Sequence, residues 1–106
     1  MNETTDTDII EKIKIRELIE NWVIYRDTAD WENFRNMWTE GGRMMATWFH
    51  GSAEEFIKVS IEGFERGIYI LHFLGGSMVK ISGERAVAQT KMTISQRGDV
   101  HGVECD

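Results

Sequence analysis

Two long runs in the C-terminal half do most to limit what this chain can fold into. Residues 68–81 and 85–96 both read as strands, and "SGE" between them reads as a hairpin turn in which Gly83 can take positive φ. In the second run Ala86, Ala88, Thr90, Met92 and Ile94 share a face. They alternate with Gln89, Lys91, Thr93 and Ser95, the pattern of a strand with one covered and one wet side. The first run carries Gly75 and Gly76 in its interior, which marks a bulge or a sharp bend. Sheets that curl around a cavity use such devices.

The residues before this hairpin read as helices. From Asp8, the residues Ile15, Leu18, Ile19, Trp22 and Arg26 fall on one face at helical spacing, and the helix runs to about Arg26. "DTAD" then breaks the pattern. Asp30 is placed to cap a short second helix reaching Met37, with Trp31, Phe34 and Trp38 as its apolar stripe. "EGG" at 40–42 ends it. Residues 43–49 read as a strand. Ser52 and Glu55 form a capping box for a third helix that buries Phe56, Val59, Ser60, Gly63 and Phe64 and stops at Gly67. A last strand begins at His101. Helices first and an antiparallel run afterwards give α+β, with the helices on one face of a curved sheet. Residues 1–7 read as a disordered tail and 8–106 as a single domain.

Composition narrows the function classes. The chain has 106 residues, a net charge of −6 and no basic run, which argues against a nucleic-acid surface or an anionic membrane as partner. Its apolar stretches are far short of a membrane span, and its acidic start is unlike a signal peptide. One cysteine, Cys105, forms no internal disulfide, and a cytoplasmic setting is expected. Trp22, Trp31, Trp38 and Trp48 all lie in the first half, as a bulky core or as the lining of an aromatic cavity.

Chemistry rests on few residues. His72 shares its strand face with Ile70 and Leu74, so it is either a core histidine bonded to a backbone carbonyl or a group that moves a proton. Asp27 stands where the first helix ends, a poor place for an acid. It reads either as a turn residue or as a carboxylate that reaches inward to hold an imidazole in one tautomer. His50 and His101 read as loop or strand-end residues. No spacing typical of a metal site, a nucleotide loop or a nucleophile elbow occurs. Tyr25, Arg26, Tyr69 and Arg97 could each bind a ligand oxygen, but the sequence alone favours a surface or packing role for each.

Taken together, "YRDTADWENFRNMW" at 25–38, "AEEFI" at 53–57 and "LHFLGG" at 71–76 resemble the SnoaL-like branch of the nuclear transport factor 2-like superfamily, the group of scytalone dehydratase and lindane dehydrochlorinase. The resemblance spans roughly residues 9–104. It implies a cone in which a bent sheet wraps N-terminal helices around a deep pocket. It also implies a catalytic pair, with His72 as general base and Asp27 orienting it. The activity implied is that of a cofactor-independent, metal-free lyase of the dehydratase type, acting on a small apolar, cyclic molecule. An isomerase, cyclase or epoxide hydrolase on the same pocket, or a non-catalytic binding or assembly module, are the alternatives. Trp22, Tyr25, Met44, Trp48 and Met92 are the implied pocket residues. A homo-oligomer, trimer or dimer, is the implied assembly. Arg26 stands where the dehydratase has a tyrosine. Family members continue for two more long strands, so the chain is expected either to be a fragment or to have its sheet completed by another subunit.

Overall fold

The computed structural model describes residues 6–100 and 103–105. The elements are α1 (Asp6–Asp27), α2 (Trp31–Asn36), β1 (Arg43–Met45), β2 (His50–Ser52), α3 (Ala53–Glu65), β3 (Tyr69–Ser82), β4 (Arg85–Val100) and β5 (Val103–Cys105). The expected α+β order is present. Most of the expected tail, and His101 at the start of the expected last strand, lie outside the described residues; Asp6 and Thr7 already belong to α1.

Local chemistry accounts for the helix ends. Asp30 accepts from the Asn33 backbone N–H at 3.3 Å and caps α2. Ser52 accepts from the Glu55 backbone N–H at 3.2 Å, while its own hydroxyl reaches Glu55 Oε1 at 3.1 Å. At the end of α3 the N–H of Gly67 bonds the Phe64 carbonyl and that of Ile68 bonds the Gly63 carbonyl, with Gly67 at φ 86°. This is a Schellman close, and glycine suits it because a Cβ is strained at that φ. The cap residue proper is Arg66. The same close ends α1, where Ala29 donates to the Arg26 carbonyl and Asp30 to the Tyr25 carbonyl. Here the left-handed position, φ 60°, is held by Ala29. An L-residue there costs about 1–2 kcal/mol. The turn it closes stands between Asp27, at the helix end, and Asp30, the cap of α2.

The core is aromatic. Phe34, Phe56 and Ile57 form its buried centre, and Trp22, Tyr25, Trp31, Trp38, Met44, Phe49 and Ile61 pack around them. Trp22 meets Phe34 edge-on at 5.1 Å and stacks on Phe56 at 6.3 Å. Three of the four tryptophans therefore serve the core, and the Trp38 indole N–H is buried there with no hydrogen-bond partner among the described residues. Trp48 is the exception, at 61% exposure.

Three expectations need correcting. Residues 43–49 are not one strand. Residues 43–45 pair with 50–52 in a tight hairpin closed by the Ala46 N–H to the Phe49 carbonyl at 2.7 Å. The turn lets Trp48 and Phe49 both reach Phe56, which a continuous strand with alternating faces forbids. In α1 Leu18 is 49% exposed and Val23 is buried in its place. The apolar side of β4 was expected to be covered, but Met92 and Ile94 are exposed, because α1 packs on β3 and, among the described residues, no helix packs extensively on β4.

The glycine pair of β3 is a bulge. Leu74 pairs with Met92 and Ser77 with Thr90, so Gly75 and Gly76 together oppose Lys91. A Cβ on Gly75 would come within 3.2 Å of the Lys91 Cβ and 3.4 Å of its carbonyl oxygen. The extra residue reverses the strand's parity. Ile70, His72 and Leu74 face inward before it, and Ser77, Val79 and Ile81 after it. Unbroken alternation would have turned Lys80 toward α1.

Candidate functional site

Asp27 and His72 meet across 45 positions of sequence. The last residue of α1 sends its carboxylate to the inward face of β3, where Oδ1 lies 2.6 Å from His72 Nδ1. Oδ2 accepts the backbone N–H of the same His72, also at 2.6 Å. One carboxylate thus holds both the ring and the main chain of its partner. The two side chains are only 9% and 10% exposed. Trp22 stands edge-on to the imidazole at 5.7 Å and 85°, which limits rotation of the ring.

This arrangement answers the problem of an acid at a helix C-terminus. The aligned peptide dipoles at that end disfavour a negative charge, and two short hydrogen bonds from His72 offset that effect. They also assign the tautomer. An ionised carboxylate only accepts, so the contact is made by Nδ1–H, and in the neutral ring Nε2 then keeps the lone pair. No hydrogen bond from another described residue engages Nε2.

Beside the pair lies a cavity of about 290 Å³, lined by Arg26, Trp48, Val59, Ser60, Gly63, Arg66, Ile68, Ile70 and Gln96. His72 and Asp27 do not line it themselves, but their neighbours do: Arg26 precedes Asp27, and Ile70 lies two residues before His72 on the same face. Cross-strand partners share a face in an antiparallel pair, so Gln96 and Ile94 stand beside Ile70 and His72. The cavity wall at Ile70–Gln96 is therefore one pair, about 7 Å, from His72–Ile94.

Of the five expected pocket residues, Trp48 lines this cavity. Trp22, Tyr25 and Met44 pack on the core cluster, with Trp22 also touching the imidazole. Met92 faces inward opposite Leu74 but stands in the open part of the sheet. Arg66 had no sequence signal as a cavity residue, and Ser60 was read only as part of the packed face of the third helix. Arg26 is 6% exposed, and its guanidinium carbon sits 5.6 Å from the centre of the Trp31 ring. Burial pushes its pKa below the ordinary value, and the charge of neighbouring Asp27 acts in the opposite direction. Among the described residues no group of three or more His, Cys, Asp or Glu side chains is placed to hold a metal ion, and no helix is long and apolar enough to cross a membrane.

Comparison with known proteins agrees with this architecture. The sequence profile of the SnoaL-like domain matches residues 8–105. Pea pathogenicity protein 2 of Fusarium vanettenii is 39% identical over 108 aligned residues, which take in 99% of this chain and 46% of that protein. A PEP2-like protein of the same fungus is 37% identical, again over 99% of this chain and 46% of the relative. The chain spans about half the length of the curated relatives it matches. Among solved structures, a nuclear transport factor 2-like protein with a cystatin-like fold from Novosphingobium aromaticivorans superposes with a TM-score of 0.58 at 23% identity, covering 98% of this chain and 74% of that one. That likeness establishes the fold. With the profile match across nearly its whole length, the chain belongs to the SnoaL-like domain family of the nuclear transport factor 2-like fold.

Proposed function

We propose that the protein is a cofactor-independent lyase of the dehydratase type, in which His72 is the general base and Asp27 orients it. The observation that carries this reading is the double grip of Asp27 on the ring and amide of His72 at 2.6 Å. A histidine needed only for packing requires one partner, and any carbonyl serves. A carboxylate bound to Nδ1 additionally prepares Nε2 to accept a proton and stabilises the imidazolium that results.

The chemistry follows from that polarity. Nε2 removes a proton from the carbon next to a carbonyl. The electron pair forms the enolate and then expels a β-hydroxyl, which leaves as water with the proton carried by His72. The substrate is a small apolar, cyclic molecule that reaches His72 along the inward face of the sheet, past Ile70 and Ile94. We place the reaction in the cytoplasm and in a homo-oligomer. Tyr69, Leu71, Phe73 and Met78 leave an exposed apolar row on β3, which supports association. Sedimentation velocity is expected to show a dimer or trimer, and a monomer at high concentration would remove that part of the reading.

The test is proton exchange. Incubation in D2O with a panel of cyclic β-hydroxy ketones is expected to give elimination in the wild type. His72→Gln should lower that rate by about 10²–10⁴-fold with the fold intact by circular dichroism. Deuterium entering the substrate without elimination would assign an isomerase instead. Equal rates in both proteins, or none in either, would leave a binding module.

A further inference from the structure

Among the described residues Arg26 makes no close ion pair. It is 94% buried by its 6% exposure, lines the cavity beside the dyad, and makes no hydrogen bond or ion pair with another described residue. Asp27, adjacent in sequence, turns both oxygens to His72; its charge favours the cation, but it makes no close ion pair with the guanidinium. The Trp31 ring face attracts the cation but supplies no negative charge. A guanidinium that opens on a cavity with no acceptor from the described residues in reach leaves its donors to solvent or to a bound group. The rest of the cavity points the same way. Its lining holds a second cation, Arg66, and the amide of Gln96, and it has no Asp or Glu, in a chain whose net charge is −6. Apolar surface from Trp48, Val59, Ile68 and Ile70 completes it.

We infer that this cavity binds a carboxylate: the molecule handled at the site is an apolar ring compound bearing an acid group, held by Arg26 with Arg66 and Gln96 beside it. A guanidinium presents a planar fork of donors that matches a carboxylate's two oxygens. The wall at Ile70–Gln96 then places the anchored group about 7 Å from the His72–Ile94 pair, roughly the width of one ring. The inference builds on the lyase reading by naming its substrate class, but it is read by binding rather than turnover.

The probes are 4-fluorocinnamate and its neutral amide, with affinities measured by ¹⁹F line broadening on the whole chain. The wild type is expected to bind the acid at least about tenfold more tightly than the amide, the worth of one charge-assisted hydrogen-bond pair. Arg26→Met should abolish the preference while the amide still binds, and Arg26→Lys should restore part of it. The wild-type comparison needs no variant, so a misfolded Arg26→Met would not spare the inference. Equal affinity for acid and amide, no binding of either, or a preference that survives Arg26→Met in a folded protein would overturn it. His72→Gln separates the two readings. Its preference for the acid should be unchanged even if no lyase activity is ever found, whereas lyase activity on neutral ketones with no acid preference would sink this inference alone.

Discussion

Asp27→Asn is expected to abolish proton transfer while leaving the fold in place. The carboxylate accepts two hydrogen bonds, from His72 Nδ1–H and from the His72 backbone N–H. An amide side chain offers one acceptor and one donor. Its oxygen satisfies the backbone N–H, and its NH₂ then faces Nδ1, which must become the acceptor. The ring proton moves to Nε2, and the base is lost. A tautomer change of this kind costs about 10⁴-fold in a comparable His–Asp pair, and a loss of about 10³-fold or more is expected here. ¹⁵N shifts of the imidazole would report the exchange of protonated nitrogens directly. Asp27→Ala removes both acceptors and leaves two nearly buried donors unpaired, at about 1–3 kcal/mol each. Urea melts should therefore rank wild type, Asn and Ala in falling order of stability. An Asn variant with normal activity would mean that Asp27 does not set the tautomer.

Phe34→Ala is expected to be the most damaging core change. Phe34 is 0% exposed and meets Trp22, Trp31, Trp38 and Phe56. Those rings belong to α1, α2 and α3 and to the segments beside them, so the cavity left by truncation cannot collapse by moving a single element. A loss of about 3–5 kcal/mol is expected. A domain of this size holds about 5–15 kcal/mol in total, so the variant should be partly unfolded near body temperature. The midpoint of a denaturant melt reads the change. A shift worth less than about 1 kcal/mol would show that the core repacks freely. Because Trp22 touches both Phe34 and His72, the same variant should also loosen the imidazole.

What the sequence disclosed follows from the range of the forces involved. Caps and turns depend on residues three or four apart, and so the Asp30 and Ser52 caps, the Gly67 stop and the Gly75–Gly76 bulge were legible. The parity reversal at that bulge is legible once the glycines are read as an insertion. The β1–β2 hairpin was not, because its turn carries no Asn-Gly or Asp-Gly signal and is set by where Trp48 and Phe49 find Phe56. The exposure of β4 was equally invisible, since a clean alternation records which face could be covered and not whether a helix lies there. The approach of Asp27 to His72 depends on how α1 lies across β3, which no local rule contains; only the family resemblance placed those two residues together. Arg26 could be named from sequence as a possible ligand of oxygen. That it makes no close ion pair with a described residue appears only in the structure, where Asp27 turns to His72.

Asp27 has one more consequence, and it concerns what the sheet must avoid. Among the described residues β3 pairs on one side only, with β4. The His72 N–H points to the other side, where a further strand would dock, and the Asp27 carboxylate already occupies it. A peptide attempting to add itself there meets a spent donor and a negative charge, the combination that keeps open sheets from templating aggregation. The side chain that aims the imidazole thus also guards an unpaired margin. Strand pairing at that point would first have to displace the Asp27 carboxylate from the His72 N–H.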